Sequence, residues 1–160
     1  MPEMRNKGLI IFPLLLAVTA CTGNSDSSMH RISCNPPANL ADLSGKYTSE
    51  MIAISDHGKK TGSSTLDIKV DEIGVISGKY SWKASDGFGN KINGQKVQED
   101  SENVLGVFDP RDCEIGLAET AENGSFRGRL LSDGKIDLIL IEPGVHPAAK
   151  LFSFQKLSES

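Results

Sequence analysis

Short segments that favour tight turns recur along this chain about every ten residues, so the stretches between them have room only for short strands. Asp71-Glu72-Ile73-Gly74, Asp86-Gly87, Asn93-Gly94, Asn123-Gly124 and Asp133-Gly134 are these breaks. Asn-Gly and Asp-Gly accept the positive φ that hairpin turns demand. The intervening runs are rich in β-branched and aromatic residues. They predict strands at Ser44–Ile54, Ser64–Val70, Val75–Lys83, Gln95–Glu99, Asn103–Phe108, Cys113–Thr120, Ser125–Leu131, Lys135–Ile141 and Lys150–Leu157. No segment keeps a helical period, although Asn35–Leu43 has room for one turn of helix after Pro36 and Pro37.

Alternation indicates which face of each strand is buried. Ile76, Gly78, Tyr80 and Trp82 fall on one side, and Ser77, Lys79, Ser81 and Lys83 on the other. Leu66, Ile68 and Val70 alternate with Asp67 and Lys69 in the same way. Ile136–Ile141 is apolar on both sides apart from Asp137, which predicts a strand enclosed beneath a loop or a chain terminus. The expected fold is all-β: a small antiparallel up-and-down β-barrel of about eight strands, whose closure removes exposed edges. A β-sandwich is the alternative.

At the N-terminus, Arg5 and Lys7 precede the apolar run Leu9–Val18. That run is about ten residues, too short to cross a hydrocarbon core of ~30 Å as a helix, so it reads as a cleaved secretory segment. Val18-Thr19-Ala20-Cys21 then resembles the lipobox of bacterial lipoproteins. The resemblance implies a signal peptide at 1–20 and a diacylglycerol on Cys21. It also implies an acyl chain such as palmitate on the new amino terminus, which together anchor the chain in membrane lipid. Thr22, where an Asp would favour inner-membrane retention, implies the outer membrane, facing the periplasm. Residues 21–32 read as the lipidated cysteine and a polar tether, and 33–160 as the single barrel domain.

Removing Arg5, Lys7 and Glu3 from the 17 basic and 21 acidic residues leaves 15 and 20, a net charge of −5. That sign argues against nucleic acid as a partner. With Cys21 lipidated, Cys34 and Cys113 remain as a pair in an oxidising compartment, and a disulfide is expected. The alternative use, as metal ligands, needs further donors, and His30, His57 and His146 have no close-spaced partners.

Leu43-Ser44-Gly45-Lys46-Tyr47-Thr48 resembles the opening strand of the calycin barrels, the lipocalins and avidins, with Tyr47 standing where that family has Trp. Ile73–Tyr80 resembles an avidin-like second hairpin. The resemblance implies a barrel closed at one end by that aromatic and open at the other. With Trp82 as the sole tryptophan, it does not imply biotin binding.

No G-x-S-x-G turn, calcium loop or phosphate loop is present, so no catalytic residue, metal or cofactor is expected. Asp109–Glu114 reads as a turn whose charges pair locally. The expected role is a non-catalytic binding module for a small apolar ligand or a protein partner. Alternatives are a structural or assembly lipoprotein of an envelope complex, or an inhibitor of a secreted hydrolase. A cavity of about 300 Å³ or more would favour a ligand, and a filled barrel with an exposed apolar patch would favour a protein partner. Candidate contact residues are Phe88, in the long glycine-rich segment Ala84–Lys96, and His146, in the proline-stiffened Glu142–Ala149. With nine barrel strands these two segments fall at opposite ends. They share a rim only if one of the short strands is wrongly assigned.

Overall fold

A computed structural model describes residues 34–56, 58–85, 90–92, 95–97 and 99–158. Cys21, His30, His57 and Phe88 lie outside the described residues.

The strands are β1 (Gly45–Ser55), β2 (Gly58–Val70), β3 (Val75–Ala84), β4 (Asn90–Ile92), β5 (Gln95–Val97), β6 (Glu99–Asp109), β7 (Glu114–Glu119), β8 (Ser125–Leu130), β9 (Ile136–Glu142) and β10 (Ala148–Lys156). Eight of them close an antiparallel barrel in the order β1-β10-β9-β8-β7-β6-β3-β2, while β4 and β5 form a separate two-stranded ribbon. The sandwich alternative therefore falls. So does the single strand expected over Gln95–Glu99: its first residues belong to the ribbon, and Glu99 opens β6. KVQED carries no alternating apolar phase to fix its partner.

Because neighbouring barrel strands are antiparallel, connections alternate between the two ends. Residues 71–74, 110–113 and 131–135 lie at one end, the base. The ends of β1, β3, β7 and β9 and the starts of β2, β6, β8 and β10 lie at the other, the mouth, with 120–124 and 143–147. With β4 and β5 outside the barrel, the ends of β3 and β9, from which the two candidate segments start, lie at the same end.

At the base, Asp71 Oδ1 accepts from the backbone N–H of Ile73 at 3.0 Å and of Val75 at 2.8 Å. Gly74 completes that turn at φ 87°, a conformation that disfavours a Cβ. Asp109 holds the next turn by accepting from the Arg111 guanidinium at 3.0 and 2.6 Å, the local pairing read from the sequence. That contact keeps the Asp109 carboxyl at about 2, well below the usual carboxylate range. A 3₁₀ turn over Leu40–Leu43, capped by Asn39, packs here with Leu43 in the core. Tyr47 donates its hydroxyl to the Leu43 carbonyl at 2.7 Å. Lys156 reaches the Asp42 carbonyl at 2.7 Å and holds its ammonium 5.8 Å from the Tyr47 ring centre. Cys34 and Cys113 form a disulfide across 79 positions, so the start of the described chain is bolted to the base.

Inward-facing side chains fill the barrel. Tyr80 meets Phe126 and Phe152 edge-on at 5.0 and 5.7 Å, and Phe152 stacks on Phe154 at 5.1 Å. Offset and edge-to-face contacts of this kind add to the apolar burial. Leu66, Ile68, Ile76, Val104, Leu117, Ile136, Leu138 and Leu140 occupy the space around them. The enclosure expected for Ile136–Ile141 is not found: Leu138 and Leu140 are buried, whereas Ile139 and Ile141 face outward and are exposed. Aliphatic residues on both faces of a strand mark two separate surfaces, and only one of them belongs to the core.

Candidate functional site

Two features stand apart from an ordinary barrel, one at the mouth and one on the outer wall.

At the mouth, the inward phase of several strands turns polar. On β7, Ile115 and Leu117 are followed in register by Glu119; on β10, Phe154 and Phe152 by Lys150; on β2, Leu66 by Ser64 and then Lys60. All four polar side chains are buried. Lys150 bonds Glu142 Oε1 at 2.5 Å, with both side chains largely removed from water. Its ammonium also lies 5.2 Å from the Trp82 ring centre and 6.0 Å from that of Tyr80. A desolvated cation gains more from an aromatic face than an exposed one does. Burial pushes the Tyr80 hydroxyl far above its ordinary value.

Glu119 is the unusual member. Its Oε2 is buried with no hydrogen-bond partner. Burial, reinforced by the neighbouring charge of Glu142, pushes its carboxyl up to about 7. Glu102 is shifted upward in the same direction, by burial and by the charges of Glu122 and Asp100. Carboxylate oxygens of Glu119, Glu122 and Glu142 lie within 4.8 Å of one another. Gly124 makes room for this arrangement, since a Cβ there would collide with the Glu119 carboxylate. A pocket that penetrates here, between Met51, Ala53, Lys60, Trp82 and Lys150, holds about 20 Å³. That is space for about one water, far below the ~300 Å³ of a ligand site.

His146 sits on the same rim and is tied back across it, with Nδ1 2.9 Å from Asp56 Oδ2. Val145 beside it is 90% exposed. The structure thus brings His146 to the mouth with the charged cluster's loops, while Cys34 and Cys113 lie at the opposite end. Sequence reading missed Glu119, Glu122, Glu142 and Lys150. A signal was present for two of them, because Glu119 and Lys150 continue the core phase of their strands; their partners come from distant segments that only barrel closure unites.

On the outer wall, residues opposite one another across β1, β10 and β9 form two apolar rows. Ile52 pairs with Leu151 and Leu151 with Ile139; Ile54 pairs with Ala149 and Ala149 with Ile141. The five large aliphatics in these rows are between 44% and 63% exposed. Two cations flank them: Lys59 opposite Ile54 on β2, and Arg127 opposite Ile139 on β8. A smaller group, Val75, Leu105 and Val107, is exposed on the opposite wall.

The chain matches no known family model, and a comparison with curated proteins finds no match.

Proposed function

We propose that this chain is a lipid-anchored protein of the bacterial outer membrane, facing the periplasm through an acylated Cys21, which docks a protein partner without catalysing a reaction. The observation that carries the reading is the pair of exposed aliphatic rows on β1, β10 and β9. Contiguous apolar patches of this kind on a water-facing wall mark interaction surfaces. A small apolar ligand is disfavoured because aromatic side chains fill the interior down to a pocket of about 20 Å³. A bilayer is a poorer occupant of the wall than a protein, since the net charge of −5 that follows from 15 basic and 20 acidic residues is repelled by anionic lipid.

Lys59 and Arg127 at the ends of the rows suit a partner whose apolar contact surface carries acidic residues at its rim. The anchor is compatible with such docking. Cys34 is bonded at the base, so a lipid on Cys21, about a dozen residues earlier, would attach to that end and leave wall and mouth accessible. Assembly factor and inhibitor of a secreted hydrolase are both forms of this reading, and the partner's identity separates them.

The test begins with labelled palmitate in cells expressing the chain or its Cys21→Ser variant. Label is expected only on the parent, and label on the variant removes the anchor assignment. Chemical cross-linking in intact envelopes then compares the parent with Ile52→Thr/Ile139→Thr. Loss of one discrete cross-linked protein in the double variant supports docking. Wall-dependent flotation with vesicles, or a wall-dependent homodimer, would replace the partner with lipid or with a second copy.

A further inference from the structure

We propose that the mouth of the barrel binds a divalent cation of the calcium type through the carboxylates of Glu119, Glu122 and Glu142. Their oxygens lie within 4.8 Å of one another. Three oxygens at mutual distances up to that value share a centre no more than about 2.8 Å from each, so a single Ca²⁺ with Ca–O distances of roughly 2.3–2.6 Å can engage all three after a small inward adjustment.

The independent sign is Glu119 itself. It is only 7% exposed, and its buried Oε2 has no protein partner. An unpaired buried carboxylate oxygen is costly, and native structures rarely keep one without a reason. The Glu119 carboxylate stands with two further carboxylates, in a position that the absence of a side chain at Gly124 permits. Glu142 already uses one oxygen on Lys150, leaving the other for the ion. Lys150 and Lys60 bring two cations to the mouth against the four carboxylates of Glu102, Glu119, Glu122 and Glu142, which leaves an excess of negative charge.

The donor set is all oxygen, which selects a hard cation over zinc. Its irregular geometry, drawn from a strand, a loop and a strand end, suits the flexible coordination of Ca²⁺ better than the strict octahedron of Mg²⁺. With Lys150 opposing it, affinity should fall in the weak range of extracellular modules, a Kd of ~0.1–1 mM. The bound ion would clamp the 120–124 connection, through Glu122, to the end of β9, through Glu142.

The test uses the full chain in detergent, stripped with chelator, and Trp82 as an antenna. Trp82 is the sole tryptophan, and its ring lies against Lys150, the partner of Glu142. Tb³⁺ should bind with luminescence excited through the indole, and Ca²⁺ should displace it with one saturable site. Glu119→Gln should weaken Ca²⁺ binding at least tenfold while its metal-free melting temperature stays near the parent's, since the lost oxygen has no partner. Gly124→Ala should weaken binding without changing charge, by displacing the Glu119 carboxylate. The absence of a saturable Tb³⁺ or Ca²⁺ site in the parent overturns the proposal. So does an unchanged affinity in both variants.

Discussion

Lys150 is the side chain on which the mouth most depends. Its ammonium neutralises Glu142 at 2.5 Å and faces the rings of Trp82 and Tyr80, with the Glu119 carboxylate in the same cluster. Removing one member of a buried ion pair leaves the other charge unpaired and costs about 3–5 kcal/mol. Lys150→Ala should lose stability of that order in urea, whereas substitution of the exposed Lys83, paired with Glu99 on the surface, should cost less than ~1 kcal/mol. Equal losses for the two variants would contradict the buried cluster. Tyr47 sets a different limit at the base. Burial raises its hydroxyl to about 12 from 10.0. The neutral form is therefore favoured in the fold: its contribution is intact below pH 10 and is lost as pH rises from 10 to about 12. The loss is roughly 2–3 kcal/mol, since one unit is about 1.4 kcal/mol. Chevron or melting measurements across that window should record the decline, and Tyr47→Phe should reduce it. That variant should itself lose about 1 kcal/mol at neutral pH with the bond to Leu43.

Turns at the base and strand phase are the parts of the fold that the sequence displays most directly. Asp71-Glu72-Ile73-Gly74 announced the turn that Asp71 Oδ1 ties with two backbone N–H groups. Asp71→Ala should cost about 1–2 kcal/mol by freeing both donors, measured by thermal unfolding, whereas Asp71→Asn should restore most of the loss. An unaffected melting temperature in Asp71→Ala would show that strand pairing alone sets the turn. Phase also located the core face of β2 and β3. It failed where a pattern has two readings. Ile139 and Ile141 share a strand with Leu138 and Leu140, and an apolar run of this kind looks the same whether its second face is covered by its own chain or by another molecule. β2 begins at Gly58 instead of Ser64 because its first turn of residues, GKKTGS, is too polar to alternate visibly, although Lys60 already points inward. The carboxylate cluster was hidden for another reason: Glu119, Glu122 and Glu142 are joined by barrel closure, which no local pattern encodes.

At the scale of the whole molecule, one covalent bond and one wall carry the account. The Cys34–Cys113 bridge closes a loop of 79 positions and fixes the start of the described chain to the base. In the chain-entropy model such a loop contributes roughly 4–5 kcal/mol. Reduction should lower the unfolding midpoint accordingly while far-UV circular dichroism of the folded state is retained. The core itself is filled by buried aromatic and aliphatic side chains. The wall of β1, β10 and β9 is expendable for folding, because its aliphatics are about half exposed and lie outside the core. The most direct measurement places a photo-activated cross-linking residue at position 139, in the centre of the wall, and in a second strain at position 63, an exposed serine on β2. Illumination of intact cells should yield a discrete cross-linked protein from position 139 and none from position 63. The same product from both positions, or only lipid adducts from position 139, would contradict protein docking through this wall.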